Sequence, residues 1–66
     1  MTGDNGYEVR IVDAPGGTRV VIHDPRGDVV SERACRDGSE ARTYASTVRQ
    51  HIYWLSPEKF REYYRV

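Results

Sequence analysis

The chain predicts an α+β fold: a three-stranded antiparallel meander sheet covered on one face by an amphipathic helix, with a short C-terminal helix after it. Three observations carry this. Up to residue 38, apolar and polar residues alternate in short runs broken by Gly/Pro turns, the signature of half-buried strands. Beyond it, apolar residues recur at steps of three and four, the spacing of one helix face. Six of the seven aromatics (Tyr44, Tyr53, Trp54, Phe60, Tyr63 and Tyr64) fall in that second part, so the bulk of the large side chains belongs to the helical layer.

The first strand is read over Tyr7–Val12. Tyr7, Val9 and Ile11 are expected inward, with Glu8 and Arg10 outward. Asp13-Ala14-Pro15-Gly16-Gly17 is a turn, because Pro pre-sets one φ and the glycines admit positive φ. Thr18–His23 follows as the second strand, Val20 and Ile22 inward and Arg19, Val21 and His23 outward. A second turn, around Pro25 and Gly27, leads to the third strand at Val29–Cys35. Its facing is ambiguous: placing Val30 and Ala34 inward puts Glu32 inward too, which an edge strand tolerates at its rim.

Arg36-Asp37-Gly38-Ser39 closes the sheet, and either Ser39 or Asp37 can cap a helix by accepting a bond from a free backbone N–H. From about residue 40 to 54, Ala41, Tyr44, Ala45, Val48 and Ile52 make one stripe, with Leu55 just beyond it. Arg42, Ser46, Arg49 and Tyr53 form a neighbouring stripe pointing away from the core, and Trp54 also falls off the core stripe. Ser56-Pro57-Glu58 restarts a helix: a capping residue, Pro at the first helical position and an acid near the positive end of the dipole. Phe60, Tyr63 and Tyr64 give this short helix an apolar edge, and it needs that edge packed in order to form. The predicted core is Val9, Ile11, Val20, Ile22, Val48 and Ile52.

Residues 1–6 are polar and Gly-rich and read as a disordered tail, leaving 7–66 as one domain. A domain of this size buries only about 60% of its unfolded surface. Small domains gain from disulfides, metals or partners. The single cysteine, Cys35, excludes an internal disulfide and fits a reducing compartment. The soft donors His23, His51 and Cys35 lack zinc-like spacing, so no metal or cofactor is expected. No apolar run approaches the ~20 residues of a membrane span, and the N-terminus lacks the charged and apolar regions of a secretion signal. The expectation is a cytoplasmic protein with no membrane partner.

Net charge is zero, so no strongly charged partner is declared. The distribution is uneven, −2 over residues 1–38 and +2 over 39–66, which makes the helical half the more basic. Arg26-Gly27-Asp28 spells an integrin-binding tripeptide, but Pro25 and Gly27 are what a hairpin turn demands. Cys35 with His51 or His23 has no third residue to orient it, and the turn aspartates serve local hydrogen bonding. The chain is therefore not expected to be an enzyme.

Two surfaces remain. Arg10, Arg19, His23 and Arg33 are expected to share the exposed sheet face, where Arg side chains reach phosphates and guanine edges of DNA or RNA. An ordinary solvated face with cross-strand Glu–Arg pairs is the plain alternative. Tyr53, Trp54, Phe60, Tyr63 and Tyr64 either close a small core or form an aromatic interface, the composition of binding hot spots.

Val20-Val21-Ile22-His23-Asp24-Pro25 at a strand end, followed by Ser39-Glu40-Ala41-Arg42-Thr43-Tyr44 opening a helix, resembles the plant ethylene-response-type DNA-binding domain and the arm-binding domain of phage integrases. The resemblance spans 7–52, and 53–66 has no counterpart. It implies a sheet lying on DNA with a helix behind it. The first functional expectation is thus a small nucleic-acid-associated accessory or regulatory protein. The alternative is a protein–protein module that docks, or forms a homodimer, through its aromatic helices.

Overall fold

Two tight turns fold the first half of the chain back on itself twice. The computed structural model describes residues 5–66. Its elements are β1 (Glu8–Ala14), β2 (Gly17–His23), β3 (Val29–Cys35), α1 (Gly38–Trp54) and α2 (Pro57–Tyr64). The strands form one antiparallel sheet in the order β1-β2-β3. This is the predicted α+β order, strands first and helices second.

The β2–β3 turn is built on Asp24. Its Oδ1 accepts the N–H groups of Arg26 and Asp28, each at 2.9 Å. Its backbone accepts from Gly27 and donates to Asp28, again at 2.9 Å. The Asp28 bond above all, and then that of Arg26, holds the Asp24 carboxyl below its usual range. Gly27 has φ +96°, a backbone region that a side chain strains. The Arg-Gly-Asp tripeptide is therefore a turn in which Gly27 fills a geometric role.

The register decides which face each strand residue takes. Val9, Ile22 and Ser31 make one row across the sheet, and Ile11, Val20 and Arg33 the next. Both rows face α1. Arg10, Val21 and Glu32 make a row on the opposite face, as do Val12, Arg19 and Ala34. This resolves the facing of β3, ambiguous in the sequence, and corrects the outward placement expected of Arg33. Ala34 and Glu32 point outward and Arg33 points to the helix side, because the register shifts between Ile22 and His23. His23 pairs with Val29 and Ile22 with Ser31, which leaves Val30 as an extra residue. A bulge of this kind reverses the parity of everything after it. Val30 itself is half-buried against the core.

The core comprises Tyr7, Val9, Val20, Ile22 and Cys35 from the sheet side, Ala41, Ala45, Val48 and Ile52 from α1, and Phe60 from α2. Five of the six predicted core residues are there. The exception is Ile11, which is 40% exposed. It lies on the helix side, but a single helix about 10 Å across leaves the edges of the row uncovered. Arg33, at the other end of that row, is exposed for the same reason. Val21 lies on the outer face as expected and is buried all the same. Its cross-strand neighbours are Arg10 and Glu32, whose aliphatic stems cover apolar surface while the charges stay wet.

Asp37 is the residue that caps α1. It accepts the Glu40 N–H at 2.9 Å, and Glu40 reaches back to the Arg36 N–H at 2.6 Å, a reciprocal arrangement close to a capping box. The N-terminal boundary also moves. Asn5, expected in the tail, is buried. Its backbone N–H donates to Ile52 O at 3.3 Å, its side-chain amide to Leu55 O at 3.1 Å, and its Oδ1 accepts the Tyr7 N–H at 3.0 Å. One asparagine thus satisfies carbonyls at the end of α1 that have no helical partner and ties β1 to them. Residues 1–4 of the expected tail lie outside the described residues.

Candidate functional site

The end of α1 and the whole of α2 form an aromatic edge, and helix geometry explains which rings face in. Ile52 faces the sheet. Each further residue turns about 100° around the helix axis, so Tyr53 and Trp54 rotate away. Leu55 leaves the helical conformation (ψ 142°), and Ser56 caps α2 by accepting the Lys59 N–H at 3.2 Å. Phe60 then points inward and, one turn on, Tyr64 follows it.

The five aromatics expected to act together therefore separate. Phe60 is fully buried, with its ring centroid 4.6 Å from that of Tyr7 and 4.7 Å from that of Tyr64. It fastens α2 to the start of β1 and is not available to a partner. Tyr64 is half-buried and shares a 2.5 Å hydrogen bond with His51 Nδ1. Burial first, then the neighbouring Tyr44 and Tyr63, pushes the Tyr64 hydroxyl up to about 12. Trp54 is 80% exposed, Tyr63 64% and Tyr53 55%. These three remain on the surface.

Cations flank the exposed rings. Arg49 and Tyr53 line a groove beside β1 with Tyr7, Glu8, Val9 and Ile52. Lys59 and Tyr63 line a second with Leu55 and Glu62. Among the described residues neither Arg49 nor Lys59 has an ion-pair partner. The Arg42–Ser46–Arg49–Tyr53 stripe is exposed along its length, as its spacing predicts.

The sheet face differs in chemistry. Arg10 pairs with Glu8 at 3.4 Å and Arg19 with Glu32 at 3.2 Å, while His23 stands opposite Glu8. Arg33 does not join them. It sits on the helix side with its guanidinium carbon 4.6 Å from the centre of the Tyr44 ring, a cation–π contact. The expected four-residue basic face is thus three residues, two of them with carboxylate partners.

Among the described residues no group of three or more His, Cys, Asp or Glu is placed to hold a metal. Cys35 is a buried free thiol that donates to Arg33 O at 3.9 Å. His51 Nδ1 is engaged by Tyr64, and among the described residues no hydrogen bond joins Cys35 to His51 or His23, the pair weighed from the sequence. No described helix is long and apolar enough to cross a membrane.

Comparison with family models, with curated proteins and with solved structures gives no match. The likeness to sheet-on-DNA modules therefore rests on strand order and the quoted residues alone. What sequence reasoning missed is the role of Asn5 and the exposure at the β1 edge. The first had a signal, since Asn two residues before a strand start is a common turn-former. The second depended on how far α1 reaches across the sheet.

Proposed function

We propose that this chain is a non-catalytic protein-interaction module that docks through the exposed edge formed by Tyr53, Trp54 and Tyr63. The observation that carries the reading is Trp54: the chain's one tryptophan stands 80% exposed at the end of its main helix. Exposing an indole of that size to water is unfavourable, and large clustered apolar exposure marks interaction sites. Tyr53 shares a groove with Arg49, and Tyr63 shares one with Lys59. Neither cation has an ion-pair partner among the described residues, and Trp, Tyr and Arg are the residues enriched in binding hot spots. The partner that suits this edge has an apolar pocket for the indole and an acidic group facing Lys59.

The nucleic-acid reading, in which Arg10, Arg19 and His23 of the sheet face hold DNA or RNA, has less support. Glu8 and Glu32 each take up one arginine there, and the net charge of the chain is zero. Phosphate binding draws its affinity from uncompensated cations.

Affinity capture from cells that make the protein, with three baits in parallel, separates the readings. The wild type and the Arg10→Ala/Arg19→Ala variant should retain the same protein, and Trp54→Ala/Tyr63→Ala should lose it. With the purified partner, the aromatic variant should bind about 30-fold or more weakly. Full retention by the aromatic variant, or nuclease-sensitive capture lost only with the two arginines, would overturn the proposal.

A further inference from the structure

We propose that two copies of this chain join along their β1 strands, antiparallel and with Ile11 opposite Ile11 of the second copy, making one continuous sheet. Among the described residues β1 has a neighbour on one side only. Natural sheets protect such edges with prolines, bulges or charges. β3, the other edge, carries the bulge at Val29–Val30 and the polar run Ser31-Glu32-Arg33. β1 carries charges too, Glu8, Arg10 and Asp13, so what separates it from β3 is its unbroken seven-residue register with no proline or bulge. It also carries two exposed aliphatic side chains, Ile11 at 40% and Val12 at 44%.

The free hydrogen-bonding groups select the register. Ala14 and Gly17 flank the two-residue turn Pro15-Gly16, so they form a hydrogen-bonded pair, and pairs alternate from there. Glu8, Arg10, Val12 and Ala14 therefore bond to β2, while Val9, Ile11 and Asp13 direct their N–H and C=O groups to the open edge. Among the described residues these three make no further backbone bond. With Ile11 on the two-fold axis, Val9 meets Asp13 of the second copy, and about six backbone bonds form using those groups alone.

The side chains agree with the same register. On the helix side the two Ile11 side chains cover one another. On the outer face each Val12 lies against the stem of the other copy's Arg10. Asp13 of the second copy arrives beside Val9, at the mouth of the groove that Arg49 lines. Arg49 has no ion-pair partner among the described residues, and an incoming carboxylate supplies one. A register centred on Arg10 would set two arginines opposite each other. One centred on Val9 would need the Tyr7 N–H, which Asn5 already holds.

Light scattering over a concentration series tests this first. The wild type should shift from monomer to dimer below about 1 mM, and a monomer at that concentration overturns the proposal. Ile11→Lys should abolish the dimer in a protein with an unchanged circular-dichroism spectrum. If that variant fails to fold, the charge exchange decides. Asp13→Arg and Arg49→Asp should each weaken the dimer about tenfold or more, and the two together should restore it. Ile11→Cys should cross-link two copies under mild oxidation, since Cα atoms about 5.5 Å apart in a hydrogen-bonded pair suit a disulfide. Val29→Cys, on the opposite edge, should not. A dimer that ignores these changes and falls apart with Trp54→Ala instead is held by the aromatic edge and contradicts the β1 contact.

Discussion

The outer face of the sheet and the end of the helical layer carry similar residue types and treat them in opposite ways. On the sheet, Arg10 is answered by Glu8 two residues back on its own strand and Arg19 by Glu32 on the next strand, and the central apolar residue, Val21, is buried beneath its charged neighbours. At the helix end, Arg49 and Lys59 have no such partners among the described residues, and Trp54, Tyr53 and Tyr63 stand uncovered. One surface satisfies itself. The other leaves three rings exposed and two cations without a carboxylate partner among the described residues. Composition did not separate them, because both hold arginines; pairing did.

Within the helical layer the same contrast divides neighbours. Phe60 and Trp54 are close in sequence, yet one is fully buried and the other almost fully exposed. Truncating each ring should have very different effects. Phe60→Ala should destabilise the domain by about 3–5 kcal/mol, as buried aromatic truncations do. In a domain this small that abolishes folding at 37 °C, which loss of the cooperative thermal transition would show. Survival of that transition would mean α2 is not fastened through Phe60.

Tyr64 supplies the next effect through pH. Its hydroxyl is raised to about 12 in the folded protein, above the ordinary tyrosine value of about 10. A group raised on folding contributes its full stability below the unfolded value and loses it as pH rises through the folded value. The melting temperature should thus fall between about pH 10 and pH 12, and less steeply in Tyr64→Phe. Absorbance of tyrosinate should show one ring titrating near 12 in the wild type, absent from the variant. An identical titration in both proteins would place the raised hydroxyl elsewhere.

The sheet face should respond weakly. A double-mutant cycle on Arg19 and Glu32 is expected to give a coupling of about 0.2–1 kcal/mol, reduced by salt, because exposed ion pairs are screened. A larger coupling would mean the pair is more than a solvated cross-strand contact. Smallest of all is the stability effect of Trp54→Ala, expected within about 0.5 kcal/mol, since surface changes away from caps and cores cost little. Urea unfolding measures it. A loss near that of Phe60→Ala would show that Trp54 is structural.

Much of this architecture was legible from periodicity. The step pattern from Ala41 to Ile52 marked the face of α1 that is buried, and Ser56-Pro57 marked the start of α2. The exposure of Trp54 followed from its position off the stripe. The facing of β3 was not legible, because the bulge at Val30 leaves no mark in the alternation and reverses it for Arg33 and Cys35. Ile11 has the right parity for the core and lacks cover, a matter of where α1 crosses the sheet. Asn5 looked like tail because its bonds go to Ile52 and Leu55, far away in sequence. The bulge, the cover over Ile11 and the helix-end bonds of Asn5 are non-local relations that a local pattern does not hold.

We propose that the aromatic helix end is where this protein meets its partner. Trp54 is the only tryptophan in the chain, so its fluorescence reports that edge alone. In the isolated protein its emission should be that of a solvated indole, readily quenched by acrylamide. Addition of the captured partner should shift the emission to the blue and protect it from quenching, with the same midpoint as complex formation measured independently. A complex that forms while Trp54 emission and quenching stay unchanged would contradict the account.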